Sequence, residues 1–398
     1  MKPIHVLCAA ALALAFAGIR PGAASAAEGV APPGLSIRNG VVTKDGRPFR
    51  GIGVNYFDAF ARTLKNPADT SYEAGFKVLA DRRIPFARFM CGGFWPSEMK
   101  AYQEDRAGYF ARLDAVMKAA ERHGIGLIPS LFWHIATVPD LVGEPCDAWG
   151  DPKSKTHAFM RAYTREVVTR YRASPAIWGW EFGNEYNLPA DLPNAAEHRP
   201  PVVPQLGTPA SRTARDELTH AQVRTALAEF AREVRRHDPH RLITSGNAFP
   251  RATAWHQQRE KSWTADTPDE SAEMLLADNT DPMNVLRVHW YQEPASRLAA
   301  AMATAAKARK PLFVGEFGVP GPRSAETEKR FREMMAALER ERVPLAALWV
   351  FDYEGQADDW NVTATGGRAY QLEAVAEANA RIRGDAAAPA RGTDGAGR

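Results

Sequence analysis

The sequence predicts an α/β protein, a (β/α)8 TIM barrel, on three observations. Eight short apolar runs alternate with longer amphipathic stretches. No glycine-rich phosphate loop follows the first run, which argues against an open, doubly wound sheet. Two long connections leave the C-terminal ends of runs, the end where barrel sites are built. A chain of 398 residues suits one such barrel with insertions.

The elements follow in order. Lys2 precedes the apolar run VLCAAALALAFAGI, and Ala24-Ser25-Ala26 forms an A-x-A cleavage site. Residues 1–26 therefore read as a signal peptide, and the mature protein as secreted or periplasmic. Cleavage takes the formal charge from +3 to +1, because Lys2 and Arg20 leave with no acid. A near-neutral chain gives no reason to expect nucleic acid or a membrane surface as partner. Residues 27–34 form a short leader. Residues 35–50 alternate apolar and polar around Asn39-Gly40 and Asp45-Gly46, which are hairpin turn signals. From there the barrel domain, 35–384, is predicted to run through strands at 51–55, 85–90, 126–132, 176–183, 241–246, 284–290, 311–318 and 345–352. Helices are predicted at 70–83, 106–123, 154–172, 219–237, 296–309, 325–342 and 369–383. In 106–123, Tyr109, Leu113, Val116, Met117 and Ala120 share one face. The long connections are 187–218 and 247–283. The tail, 385–398, is low-complexity and reads as disordered.

Cys8 leaves with the signal. Cys91 and Cys146 remain, either paired or apart. There is no C-x-x-C, H-E-x-x-H or calcium-loop pattern, so no metal or cofactor is expected. The chain is expected to be a monomer.

The stretch WGWEFGNEYN, 178–187, carries two glutamates in a segment built for burial. Side chains alternate along a strand. Glu181, Gly183 and Glu185 therefore share one side, and Trp178, Trp180 and Phe182 the other. If the aromatic side packs outward, both glutamates face the barrel interior. Glu181 sits deeper and is expected to pair with a buried donor. Glu185 falls at the mouth. In LFVGEFG, Glu316 ends the seventh run between glycines, which leave room for a ligand. Two carboxyl groups on opposing walls of a barrel mouth suit a glycosidic bond held between them.

These residues resemble glycoside hydrolase family 5 and its clan A relatives, the cellulase and mannanase type. The resemblance rests on Asn184-Glu185 closing the fourth strand and Glu316-Phe317-Gly318 on the seventh. It implies Glu185 as acid/base and Glu316 as nucleophile. Arg88 resembles the arginine that holds the nucleophile. His289 and Tyr291 resemble the sixth-strand His-x-Tyr element, and Trp349 the eighth-strand tryptophan under the sugar. Asn184 is placed for the sugar 2-hydroxyl, and His134 stands where the third-strand histidine belongs. Two departures mark an outlying branch. Tyr186 follows Asn-Glu where the family often has proline, and Leu131-Phe132-Trp133-His134 replaces Asp-x-His. Phe94, Trp95, Trp133, Trp290, Trp349 and Trp360 are candidate sugar-stacking aromatics, and Asn55, Tyr56 and Asp58 candidate contacts to distal hydroxyls.

The implied function is retaining hydrolysis of a β-linked glycan, glucan or mannan, through a covalent glycosyl-enzyme. Two alternatives stay open: an exo-acting or transglycosylating barrel, walled at one end by 187–218, and a sugar-binding protein without catalysis.

Overall fold

The computed structural model describes residues 33–387, so the expected signal peptide, nearly all of the leader and residues 388–398 of the tail lie outside the described residues. The described chain opens with β1 (Leu35–Arg38), β2 (Val41–Lys44) and β3 (Arg47–Pro48), an antiparallel sheet in that order. Asn39, Gly40, Asp45 and Gly46 all have positive φ. That is the backbone a two-residue type I′ turn requires, and Asn-Gly and Asp-Gly supply it cheaply.

Eight parallel strands follow: β4 (Gly51–Asn55), β5 (Phe86–Met90), β6 (Gly126–Phe132), β7 (Gly179–Gly183), β8 (Leu242–Thr244), β9 (Leu286–Trp290), β10 (Leu312–Phe317) and β11 (Leu345–Leu348). They hydrogen-bond in the order β8-β7-β6-β5-β4-β11-β10-β9. The backbone ladder stops between β8 and β9, and side chains bridge that seam. Asn284 Oδ1 accepts the Ile243 N–H at 2.8 Å. Asn279 Oδ1 accepts from Ser245 Oγ at 2.7 Å and from the Arg287 N–H at 3.1 Å.

A helix follows each barrel strand: Tyr72–Asp81, Arg106–His123, Lys155–Tyr171, His220–His237, Pro268–Ala277, Ala295–Ala308, Ala325–Arg340 and Ala369–Ala387. Seven of these match the predicted helices. The helix Pro268–Ala277 and the shorter Ala254–Glu260 lie within the long connection 247–283, for which the sequence reading names no helix. Pro268 at its start and the Thr267–Glu270 capping box are real start signals. Only Met274 and Leu275 are buried, so the helix lacks a legible apolar stripe. No described helix is long and apolar enough to cross a membrane.

The barrel interior has three layers. At the base, Leu35 and Val42 of the first sheet join Phe86, Ile128, Trp178, Leu242, Val285, Phe313, Leu345 and Ala347. Trp178 thus departs from the expected outward side. It precedes β7, and its ring fills the space left by Gly126, where an added Cβ would lie 2.0 Å away. Trp180 and Phe182 do pack outward, in the main core against the helices. Above the apolar base lies a layer of buried charge: Arg88, Glu181 and Arg287. Above that is the mouth, with an aromatic wall of Phe57, Trp133, Phe94, Trp349, Tyr353 and Trp360. Cys91 and Cys146 are buried free thiols, both in the main core.

Candidate active site

Arg88 organises the site from β5. Its Nε donates to Glu181 Oε1 at 2.6 Å, and its Nη1 to Glu316 Oε1 at 2.6 Å and Asn55 Oδ1 at 2.9 Å. Its Nη2 donates to Asn184 Oδ1 at 2.8 Å. The Trp133 ring covers the guanidinium at 4.2 Å. Burial alone would lower the guanidinium pKa, but Glu181 and Glu316 outweigh it and hold the charge. Asn55 is fully buried and donates to the carbonyls of Gly315, Ala347 and Leu348. It therefore positions Arg88 rather than meeting a distal sugar. Tyr56 is also fully buried and donates to Asp352, and Asp58 pairs with Arg62.

A bulge in β10 aims Glu316. Val314 pairs with Val288, but Glu316 pairs with His289, so Gly315 is the extra residue. Phe313 faces the barrel base, and strict alternation from it would turn Glu316 outward. The bulge reverses that and brings the carboxylate into the mouth. Tyr291 donates its hydroxyl to Glu316 Oε2 at 2.6 Å. Burial, then the Glu316 charge, push the Tyr291 phenol well above its ordinary pKa, so it remains a donor.

Glu185 stands beyond the end of β7 in the left-handed region, at φ 55°. A non-glycine residue there is uncommon. Its N–H donates to Gly246 O at 3.0 Å, and the Asn184 N–H to Trp133 O at 3.2 Å. This turn lets Asn184 and Glu185 both reach the mouth. Burial pushes the Glu185 carboxyl pKa up, although the side chain keeps 31% exposure. The two observations agree if the carboxyl sits deep in an open mouth.

His289 joins the two carboxyls. Its Nδ1 lies 2.7 Å from Glu185 Oε1 and 3.4 Å from Glu316 Oε2. Oxygens of both glutamates and this nitrogen all fall within 4.8 Å of one another. Burial, then Arg287 and Arg88, hold the imidazole well below its ordinary pKa and outweigh Glu316. Arg287 was not anticipated. An arginine inside an apolar run gives no sign of its partners, and only the fold shows that Glu181 has two. Its Nη2 lies 3.0 Å from Glu181 Oε2 and 3.3 Å from His289 Nε2.

Other expected residues sit at the rim or elsewhere. Trp349 stacks toward Trp133 at 6.0 Å and donates its indole N–H to Gln356 Oε1 at 2.8 Å. His134 stacks on Phe94 at 4.9 Å, outside the carboxylate network, and burial lowers its pKa to about 4. Trp95 lies beside Phe94 and His134, and Trp360 sits edge-on to Tyr291 at 5.1 Å. Trp290 is buried and donates to Glu293 O, so it belongs to the core. Tyr186 is buried too, and its hydroxyl donates to Phe132 O at 2.8 Å. The two departures in sequence therefore meet in one contact in the main core, beside Trp149 and Phe182.

The 187–218 connection is held down. Arg212 grips Asp140 with both Nη atoms, at 2.6 and 2.8 Å. Asp191 binds Lys261 at 2.5 Å and His220 at 3.0 Å.

The fold and site can be set beside known proteins. Mannan endo-1,4-beta-mannosidase F of Aspergillus clavatus is 40% identical over 82 residues, 19% of this chain and 18% of that protein. A probable mannan endo-1,4-beta-mannosidase C of Aspergillus terreus is 31% identical over 146 residues, 33% of this chain and 30% of its own length. The chain spans about a fifth of the length of the first of these curated relatives. Among solved structures, the endo-1,4-beta-mannanase of Rhizomucor miehei superposes with a TM-score of 0.64 at 14% identity, over 88% of this chain and 99% of that one. An exo-beta-1,4-mannosidase from an Opitutaceae bacterium gives 0.62 at 18% identity, over 89% and 64%. These likenesses carry the fold. A family model described as Cellulase (glycosyl hydrolase family 5) matches residues 42–355, and the chain belongs to that family.

Proposed function

We propose that the protein is an exported, retaining glycoside hydrolase acting on β-1,4-linked mannan or a related β-glycan. The observation that carries this reading is the closeness of Glu185 and Glu316, with oxygens within 4.8 Å across the mouth. Retaining enzymes hold their carboxyls about 5–5.5 Å apart, while inverting enzymes leave about 6.5–9.5 Å for a water. The environments also divide the roles. Glu316 accepts from Arg88 and Tyr291, which hold it in place for attack as the nucleophile. Glu185 has a raised pKa and keeps a proton for the leaving oxygen.

The mechanism follows in two steps. Glu316 attacks the anomeric carbon while Glu185 protonates the departing oxygen. Glu185 then takes a proton from water, and that water releases the sugar from Glu316. Asn184 Oδ1 accepts from Arg88 Nη2, which leaves Nδ2 for the 2-hydroxyl. Trp349, half-buried at the rim, offers the apolar face on which a pyranose stacks, with the buried Trp133 behind it. The mannan preference follows the names of the curated relatives, and export follows the signal-like N-terminus.

A second reading, exo-action, rests on the 187–218 connection, which leaves the C-terminal end of β7 and is anchored by Arg212–Asp140 and Lys261–Asp191. The test is product release from β-1,4-mannan, glucomannan, β-1,4-glucan and xylan, read by mass spectrometry. Oligosaccharides from mannan, abolished by Glu316→Gln, would support endo-hydrolysis. Only mono- or disaccharide would favour exo-action. No release from any polymer would overturn the glycan reading.

A further inference from the structure

We propose that Arg287 is a positioning residue that fixes the tautomer of His289 and thereby aims the proton of Glu185. The inference rests on the acid role given to Glu185. A guanidinium carries only donors. Arg287 Nη2 stands 3.3 Å from His289 Nε2, so Nε2 must be the accepting nitrogen. The imidazole is neutral, and its single proton is therefore on Nδ1. That N–H donates to Glu185 Oε1 at 2.7 Å. Oε1 is thus occupied as an acceptor, and the acidic proton of Glu185 resides on Oε2. The groups facing His289 are Glu185 beyond β7, Glu181 within β7, Arg88 on β5, Glu316 on β10 with Tyr291 bound to it, and Arg287 on its own strand.

The alternative tautomer shows what Arg287 prevents. With the proton on Nε2, the bare Nδ1 would accept from Glu185. The acid would then point at the histidine instead of the glycosidic oxygen. Only a donor at Nε2 excludes that state.

The surroundings of Arg287 fit this task better than packing alone. Its guanidinium lies 4.1 Å above the Phe313 ring, and its Nε and Nη1 meet no protein acceptor among the described residues. A buried ion pair is weak evidence for stability, and an apolar isostere often packs as well. Burial lowers this guanidinium's pKa to about 9, so holding it charged costs stability at neutral pH. The backbone also makes room for it: a Cβ on Gly315 would lie 1.5 Å from its central carbon.

The first test is the nitrogen-15 spectrum of the wild-type His289 ring, which needs neither substrate nor substitution. The expected spectrum shows a protonated Nδ1 and a bare Nε2. A protonated Nε2 overturns the proposal. In Arg287→Met the Nε2–H form should appear, while Arg287→Lys, which keeps a donor, should retain the wild-type form. An Arg287→Met spectrum identical to wild type also overturns it.

Kinetics supply a second arm. On mannan oligosaccharide, whose leaving group needs a proton, Arg287→Met should lower kcat/KM by roughly 10²-fold. On dinitrophenyl β-mannobioside, whose leaving group needs none, the loss should be under about threefold, because acid catalysis contributes nothing there. Equal losses on both substrates would mean a merely structural role and sink the proposal. A wild-type protein inert on both would sink the hydrolase reading instead, and the ring spectrum would still decide the tautomer.

Discussion

At the residue scale, Glu185 illustrates what the proposed proton donor costs its fold. Arg88 and Arg287 face Glu181 and Glu316, so the buried charges already balance. A fifth charge on Glu185 would be uncompensated, and burial raises its pKa accordingly. The raised pKa means that the folded chain keeps a proton the unfolded chain has lost. Stability then falls as pH rises from about 4, the ordinary glutamate range, through the folded pKa. Glu185→Gln removes this penalty and keeps an acceptor for His289. Its melting temperature should exceed wild type at pH 8 and match it near pH 4, while hydrolysis of the proposed mannan substrate falls by about 10²- to 10⁴-fold. Thermal melts at the two pH values check the first part; no difference at pH 8 would mean the carboxyl is well solvated. The same pKa sets an alkaline limit to kcat/KM above the ordinary carboxyl range, which a pH profile reads. Much of this site was legible in the sequence, because Arg88, Asn184, Glu185, His289, Tyr291 and Glu316 sit in short motifs at strand ends. Arg287 was not, because its meaning depends on Gly315 and Glu181, which only the barrel brings to it.

At the scale of elements, the strands were legible because parallel strands covered on both sides read as apolar runs. The bulge in β10 was not, since a single glycine does not announce a register shift. It is nonetheless the feature that turns Glu316 inward and opens space for Arg287. Gly315→Ala tests that dependence. The new methyl would fall within 1.5 Å of the Arg287 guanidinium carbon. That group has little freedom to move, held by Glu181, by His289 and by the Phe313 ring. Overpacking of this kind costs about 1–3 kcal/mol. The substitution should therefore destabilise by about 2 kcal/mol and reproduce the acid-catalysis defect of Arg287→Met. Denaturant unfolding of the double variant Gly315→Ala/Arg287→Met should recover most of the loss, because the clashing partner is shortened. Strictly additive losses would show that Gly315 matters for the bulge backbone rather than for Arg287. The unpredicted helix Pro268–Ala277 carries a related lesson. Its start signal was strong, but with two buried residues it had too little apolar pattern to declare itself.

At the scale of the whole molecule, the barrel is a ring with one seam. Elsewhere the strands exchange backbone hydrogen bonds, but β8 and β9 are joined through Asn279 and Asn284. Asn279 does the larger share. Its Oδ1 accepts hydrogen bonds from Ser245 on one side and from the Arg287 N–H on the other, and its Nδ2 donates to Leu275 O at 2.9 Å. All of these groups are buried, so each would lose a partner that water cannot replace at once. The seam also lies close to the chemistry, since Gly246, just past β8, accepts the Glu185 N–H, and β9 carries Arg287 and His289. A loosened seam should therefore disturb the acid and leave the rest of the barrel folded. Asn279→Leu keeps the volume while leaving the Ser245 hydroxyl and the Arg287 N–H unpaired, at about 1–3 kcal/mol for each. The expected loss is about 3 kcal/mol, with hydrogen exchange faster in β8 and β9 than in β5, β6, β10 and β11. Uniform acceleration around the ring would mean that the barrel opens as one cooperative unit and that the seam is no weaker than its ladders. Acceleration confined to β8 and β9, with activity lost at unchanged secondary structure, would identify the seam as the hinge on which the acid side of the mouth depends.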